Sequence, residues 1–483
     1  MNRRSSIPHL LGGALFLLIG VILWPALDRG IERIRYTVPS RSPDDGLEGT
    51  LVHEAQLIRQ GLALYRPIVA EEFVSAPYTP LYTVVLAAPS FDQTRPFTAG
   101  RSISLAALIG VALLVALFVG RHSGWWWLGG SAALMILAFP PAQLWATRVK
   151  PDVLALFWTT LGLSLASFRR GRWADWAAVA FALAFFTKQT ALIAPFAVGV
   201  NLIITDWRRA ARYALTYGLA LGLPYLTLDL VTGGMATAHI WGLHRSEWWR
   251  FALFWKYVEL LRWSLPLLGL ALLGLGAVRQ HHAYRQALIY ALLAPLTLYG
   301  AGEIGAHHNH LLETMLAWTL AGGVGAGLAF TAGLRPGQRP LQRGLVGLAA
   351  GLVLWQGWLL RPTPAWYGGE FAPPSLERFV AYLESKPGEA LADNPALLLL
   401  ADKPIRFDDP STMGPAIRSG VWDPAVLHEM IRQRQFGVIL LEVDLRSETS
   451  DATGRWTDET LAVIGEHYQL EFEDRLFSYV PRP

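Results

Sequence analysis

The chain has 483 residues, of which 53% are hydrophobic and 16% charged, a balance too apolar for an ordinary soluble protein. It contains no cysteine, so disulfides and thiolate chemistry are excluded, and any metal site has to be built from His and carboxylates. The net charge of +4 does not point to nucleic acid, because the arginines lie in short runs between apolar stretches, where membrane topology accounts for them.

A bilayer core about 30 Å thick requires roughly 20 mostly apolar residues per helix. Stretches of that kind recur as Leu10–Leu27, Phe97–Gly120, Trp125–Trp145, Val153–Phe168, Trp173–Phe186, Thr190–Ile204, Ala210–Leu230, Phe254–Val278, Ala287–Ala301, Leu311–Ala332 and Leu345–Leu360. The first resembles a signal peptide but lacks a small-residue cleavage site, and it reads as a retained helix. The 20 tryptophans fit membrane interfaces. The expected fold is therefore a polytopic α-helical membrane protein with about eleven transmembrane helices.

Arginine clusters fall between alternate spans: Arg3-Arg4, Arg121-His122, Arg169 to Arg172, Arg208 to Arg212, Arg279 to Arg285 and Arg335 to Arg343. Placing them in the cytoplasm puts the N-terminus inside and the C-terminus outside. The parity requires that Tyr78 to Pro89, short and bounded by prolines, does not cross the bilayer. Residues 1–361 then form a membrane domain with one large external loop over 29–96. Residues 362–483 have ordinary soluble composition and read as a small extracytoplasmic α/β domain: helices Ser375 to Ser385 and Pro424 to Gln435 alternate with strand-like runs Ala396 to Leu400 and Val438 to Val443.

Polar groups at a membrane boundary carry the functional information. Asp44, Asp45 and Glu48 open an amphipathic helix in the first loop, where acids are also favoured simply by the helix dipole. Asp152 follows Arg148, Lys150 and Pro151 at the head of a span. Lys188 stands alone between apolar segments, suited to a lipid phosphate or to snorkelling. Glu303, His307, His308, Asn309, His310 and Glu313 gather at another external entrance; a divalent ion is conceivable there, and a hydrogen-bonding cluster is the preferred reading.

The order of these features, an acidic loop ending in Gly61 and Tyr65, then Tyr78-Thr79-Pro80-Leu81-Tyr82, Gly100-Arg101-Ser102, Asp152, Lys188-Gln189-Thr190 and Asn309, resembles bacterial GT-C class glycosyltransferases, in particular the RgtA-like branch related to aminoarabinose and protein O-mannosyl transferases. The resemblance implies an inner-membrane enzyme that moves a sugar from a polyprenyl-phosphate carrier to a glycan, lipid or protein acceptor on the outer face; nucleic acid is not an expected partner, and the one cofactor left open is a divalent metal ion. It implies a first-loop carboxylate as base, which here leaves Asp44, Asp45 and Glu48 open, because Leu47-Glu48 stands where many members carry Asp-Glu. Asp152, Lys188, Arg148, Lys150, Tyr78, Asn309 and His310 are the expected substrate contacts. The alternatives are a transporter or lipid flippase, and a non-catalytic membrane scaffold.

The arginine pattern makes a direct prediction: reporter fusions after Arg172, Arg212 and Arg343 read cytoplasmic, and fusions after Arg361 and at the C-terminus read external. A cytoplasmic C-terminus overturns the topology.

Overall fold

The computed structural model describes residues 7–89, 92–168, 172–243, 252–302, 307–334, 340–361, 376–447 and 454–483. Arg3, Arg4, Arg169, Arg170, Glu303, Arg335, Pro362 and Ser375 lie outside these residues, as does 244–250.

Helix α1, Ile7–Thr37, carries Pro25 and continues through Asp28, Arg29, Glu32, Arg33 and Arg35, so the first loop begins a turn or more beyond the apolar stretch, not at residue 29. The charged extension stands clear of the apolar segment and brings Arg33 to the loop. Within the loop, α2 (Gly46–Arg59) starts at an Asp45 cap, and α3 (Leu81–Ala87) is 7 residues long. At 1.5 Å per residue α3 spans only about 10 Å, too short to cross a bilayer.

The bundle continues with α4 (Thr98–Ser123), then α5 (Trp126–Ala138) and α6 (Pro140–Ala146), which read as one span in the sequence but are bent by 66°. Pro140 and Pro141 cause the break, since neither ring nitrogen can donate to the preceding turn. Next come α7 (Asp152–Ala166), α8 (Trp173–Thr187), α9 (Ile193–Thr205), α10 (Trp207–Val231) and the single turn α11 (Met235–Thr237). Helices α12 (Ala252–Leu273), α13 (His282–Leu293), α14 (His310–Gly333) and α15 (Pro340–Leu359) complete the bundle.

Among the described residues four helices are long and apolar enough to span a membrane, Leu10–Thr37, Thr98–Ser123, Trp207–Val231 and His308–Gly333, with the bent α5–α6 pair a fifth. They differ in surroundings. α14 is enclosed: Cβ atoms on Gly322 and Gly325 would stand 2.7 Å and 2.4 Å from backbone oxygens of α12, so only glycine permits that approach. α10 turns Leu215, Leu219, Leu223, Leu226 and Leu230 outward, as a helix wetted by hydrocarbon would.

The described residues from 376 onward hold a sheet of order β1-β2-β4-β3, from β1 (Glu389–Ala392), β2 (Phe436–Leu441), β3 (Tyr468–Glu473) and β4 (Phe477–Pro481), with β1 and β2 parallel and the other pairs antiparallel. Around it lie α16 (Glu377–Ser385), α17 (Pro395–Leu400), α18 (Pro410–Arg418), α19 (Ala425–Arg432) and α20 (Asp458–His467). The run Ala396 to Leu400, expected as a strand, is helix α17. Its apolar composition is silent on type, but Asn394 caps the Ala396 amide at 3.1 Å and Pro395 fills the first helical position.

The first loop and this sheet unit share one core. Leu51, Val52 and Ala55 of α2 pack with Ala396, Leu397 and Leu400 of α17 and Val438 of β2. A Cβ on Gly49 would stand 2.2 Å from the Ala396 nitrogen. Gly49→Ala raises helix propensity by about 1 kcal/mol, yet overpacking here should cost about 1–3 kcal/mol. The variant is therefore expected to melt earlier and to lose the C-terminal unit to protease sooner; a raised melting temperature contradicts the packing described.

Candidate functional site

One end of the bundle gathers the acids and cations picked out in the sequence, and at its base is a fully buried ion pair. Arg101, in the first turns of α4, and Glu48 of α2 have side-chain exposures of 0% and 0%. The Arg101 guanidinium donates to both Glu48 oxygens at 2.9 and 2.6 Å, and to the carbonyls of Thr37, Ser40 and Ser42 at 2.6, 2.9 and 2.9 Å. All five of its N–H groups are thereby used. The Glu48 oxygens also accept the Val149 amide at 2.9 Å and the Asp44 amide at 2.6 Å. Glu48 has no oxygen left facing a substrate, and its role is to tie α1, α2, α4 and the 148–152 turn together.

Asp44 is turned the other way. One of its oxygens accepts from Arg33 at 2.7 Å and from Arg148, whose guanidinium also lies 5.3 Å from the Trp145 ring centre. Asp45 caps α2 through the Glu48 amide at 3.2 Å and meets Lys150 at 3.1 Å and Arg148 at 3.6 Å. Its side chain, 24% exposed, is the most open of the three first-loop acids. Burial pushes the Asp45 carboxyl up, but Lys150 and Arg148 outweigh it and hold the group below its ordinary range.

Lys188 does not stand alone. It is the residue at which α8 ends, and its ammonium meets Asp152, the first residue of α7, at 2.6 Å; the same Asp152 oxygen accepts from Asn309 at 2.8 Å. The partner lies 36 residues away in sequence, which is why no adjacent acid is visible. Tyr78 presents its ring 5.9 Å from the Lys188 ammonium, and burial, then Asp152, Asp409, Asp45 and Glu54, push its phenol well up.

The histidines separate. His307 lies 6.3 Å from the Trp145 ring, and burial with Lys150 and Arg148 pushes it down to about 4, so it is neutral near pH 7. His308 approaches Glu259 and Lys256, and His310 approaches the Thr297 carbonyl at 3.3 Å. Among the described residues no group of three or more His, Asp or Glu is arranged to hold a metal. Glu313 accepts from the Tyr290 hydroxyl at 3.2 Å.

The site is thus a row of three ionic groups: Asp44 with Arg33 and Arg148, Asp45 with Lys150, and Asp152 with Lys188 and Asn309. The sequence reading missed Arg33 and the anchoring role of Arg101. The second was detectable, since an arginine inside the first turns of an apolar span demands a buried partner.

The helical bundle, with the acids in its first loop and a mixed α/β unit packed over that loop, has the fold of solved GT-C glycosyltransferases. The chain is similar to ArnT, the aminoarabinose transferase, from Cupriavidus metallidurans, both in the structure bound to undecaprenyl phosphate (TM-score 0.56, 14% identity, 98% of each chain covered) and in the apo structure (TM-score 0.57, 13% identity, 98% of each chain). The Archaeoglobus fulgidus oligosaccharyltransferase tethered to an acceptor peptide aligns over 96% of this chain and 74% of its own at 11% identity, with a TM-score of 0.49. No family model matches the sequence, and no curated protein does.

Truncating one partner of a buried pair leaves a charge without compensation. Glu48→Gln is therefore expected to cost about 3–5 kcal/mol and to reduce the folded protein recovered from membranes, whereas Asp45→Asn should shift the melting temperature little. Equal melting temperatures for parent and Glu48→Gln would refute the anchoring role.

Proposed function

We propose that the protein is a glycosyltransferase of the bacterial inner membrane that moves a sugar from a polyprenyl-phosphate carrier to an acceptor at the outer face. The observation that carries this reading is the Asp45–Lys150 contact: a partly exposed carboxylate beside cations, at the end of a bundle shared in fold with a protein crystallised with undecaprenyl phosphate.

In the reaction an acceptor hydroxyl attacks the anomeric carbon as the bond from that carbon to the phosphate oxygen breaks, and the configuration inverts. Asp45 takes the hydroxyl proton, and Lys150, Arg148 and Lys188 balance the charge of the departing lipid phosphate. A carboxylate held low by two cations is a weak base. An incoming phosphate draws Lys150 and Arg148 toward itself, which relaxes that hold and raises the basicity of Asp45 when donor is present. Asp152 and Asn309 keep Lys188 directed at the same space, with His310 at its edge. The proposed topology is the eleven-span arrangement with an external C-terminal unit.

The test incubates purified protein with labelled polyprenyl-phosphate sugars and a membrane extract, and follows transfer. Asp45→Asn should lower turnover by roughly two to four orders of magnitude with little loss of donor binding. Lys188→Met combined with Asp152→Asn removes both charges of that pair, so a fold defect from a lone buried charge is avoided. Its affinity for undecaprenyl phosphate should fall about ten- to hundredfold, the equivalent of about 1.5–3 kcal/mol. A parent protein that neither binds the lipid phosphate nor transfers sugar from any donor sinks the proposal.

A further inference from the structure

A second group of carboxyls lies deeper, at the seam between the first loop and the C-terminal unit, and the chemistry just described leaves it unused. Glu54 of α2 is 1% exposed and Asp408, just before α18, is 0% exposed. Glu54 Oε1 and Asp408 Oδ2 are buried without a hydrogen-bond partner among the described residues. Burial, then Asp408 and Asp409, push Glu54 well up; burial, then Asp409, do the same to Asp408. Two neutral or proton-sharing carboxyls can be buried there where two carboxylates could not.

Between them runs a strap of the first loop. Phe73 and Phe407 form an isolated parallel bridge, with the Phe73 amide donating to Arg406 at 2.7 Å and the Asp408 amide to Phe73 at 3.0 Å. The Asp408 carboxyl then accepts the Ser75 amide at 2.9 Å, while Thr50 donates to the Asp408 carbonyl at 2.5 Å. Ala76 follows with φ of +37°, a left-handed conformation that an L residue with a side chain holds only under constraint. His239 contacts the Ser75 carbonyl at 3.0 Å, Gln189 donates to the Pro77 carbonyl at 2.8 Å, Tyr65 to the Tyr78 carbonyl at 2.8 Å, and Thr79 to the Phe185 carbonyl at 2.6 Å. The strap therefore starts on Asp408 and ends at the corner of α8 that carries Lys188, with the Tyr78 ring, packed against the shared core, facing the Lys188 ammonium.

We infer that Asp408, on the C-terminal unit, is a positioning residue for the site: by holding the Ser75 amide it fixes the strained strap that sets Tyr78 against Lys188. The inference rests on the reading of that row as the donor site. It makes the C-terminal unit part of the machinery, reaching the lipid-phosphate cations through five residues of backbone, Ser75 to Thr79.

Because the chain lacks cysteine, a single Cys at position 78 is a clean reporter. The full-length Tyr78→Cys protein is labelled with a maleimide in the parent background, with Asp408→Leu, which keeps the bulk but accepts no hydrogen bond, and with Asp408→Asn, which still accepts from Ser75. A separate Leu427→Cys protein, whose reporter is in the core of the C-terminal unit, controls for unfolding. Asp408→Leu is expected to speed labelling at position 78 at least tenfold, with no change at 427. In the chain that keeps Tyr78 it should weaken undecaprenyl phosphate binding about tenfold. Asp408→Asn should stay within about twofold of the parent in both measurements. Parental labelling at 78 in Asp408→Leu, equal acceleration at 78 and 427, or an Asn variant as loose as the Leu variant each overturns the inference. Should Asp408→Leu fail to accumulate, Asp408→Ser, whose hydroxyl falls short of the Ser75 amide, is held to the same outcomes. If the parent does not bind the lipid phosphate, the glycosyltransferase reading fails by itself, and the labelling still decides whether Asp408 holds the strap.

Discussion

A carboxylate and a guanidinium can be removed from water together only when every lone pair and N–H finds a partner, and Glu48 with Arg101 satisfies that condition in full. The geometry of the site depends on this pair. Arg101 gathers the carbonyls of Thr37, Ser40 and Ser42, so the chain leaving α1 has to turn sharply back into α2. Glu48 in turn holds the Val149 and Asp44 amides, which presents Asp44 and Asp45 to Arg148 and Lys150. A buried ion pair is weak evidence of net stability compared with apolar packing, but it is a strong specifier of register, because displacement by one residue leaves two charges unpaired.

The consequence is a division of labour among acids that look alike in sequence. Glu48 is consumed by structure. Asp44 is shared by two arginines and serves to orient Arg148. Asp45 keeps an open face and has the smaller ammonium of Lys150 as its nearest cation. Asp152 follows the same logic on the far side of the row, holding Lys188 while Asn309 fills the same oxygen. Lys150 and Lys188 are thus each paired with an acid, which avoids collecting unbalanced positive charge at one end of the bundle.

The bundle and the sheet unit are not independent bodies joined by a linker. Their shared core, the close approach at Gly49 and the Phe73–Phe407 bridge mean that the first loop folds between them. This also explains why α2 is more buried than an exposed amphipathic helix would be: its apolar stripe meets α17 instead of lipid.

How much of this was legible in advance follows from the range of each interaction. Apolar runs of span length, the alternation of arginines and the compositional change near residue 362 are local properties, and the sequence by itself determined from them a helical membrane bundle with an α/β unit after it, but not the bend at Pro140 and Pro141 inside a run read as one span. It also singled out Asp44, Asp45, Asp152 and Lys188 as polar residues at a bilayer boundary, and Asn309 through the resemblance. What it left undecided were pairings across long separations: Arg101 with Glu48 at 53 residues, Lys188 with Asp152 at 36, Asn309 with Asp152 at 157 and Ser75 with Asp408 at 333. The type of the short run Ala396 to Leu400 was decided by its Asn394 cap and its packing on Gly49, which its apolar composition does not encode. Only the tertiary structure decided which first-loop acid is anchored and which is open, because exposure and hydrogen-bond saturation are properties of neighbours in space, and those neighbours come from α1, α4 and the turn before α7.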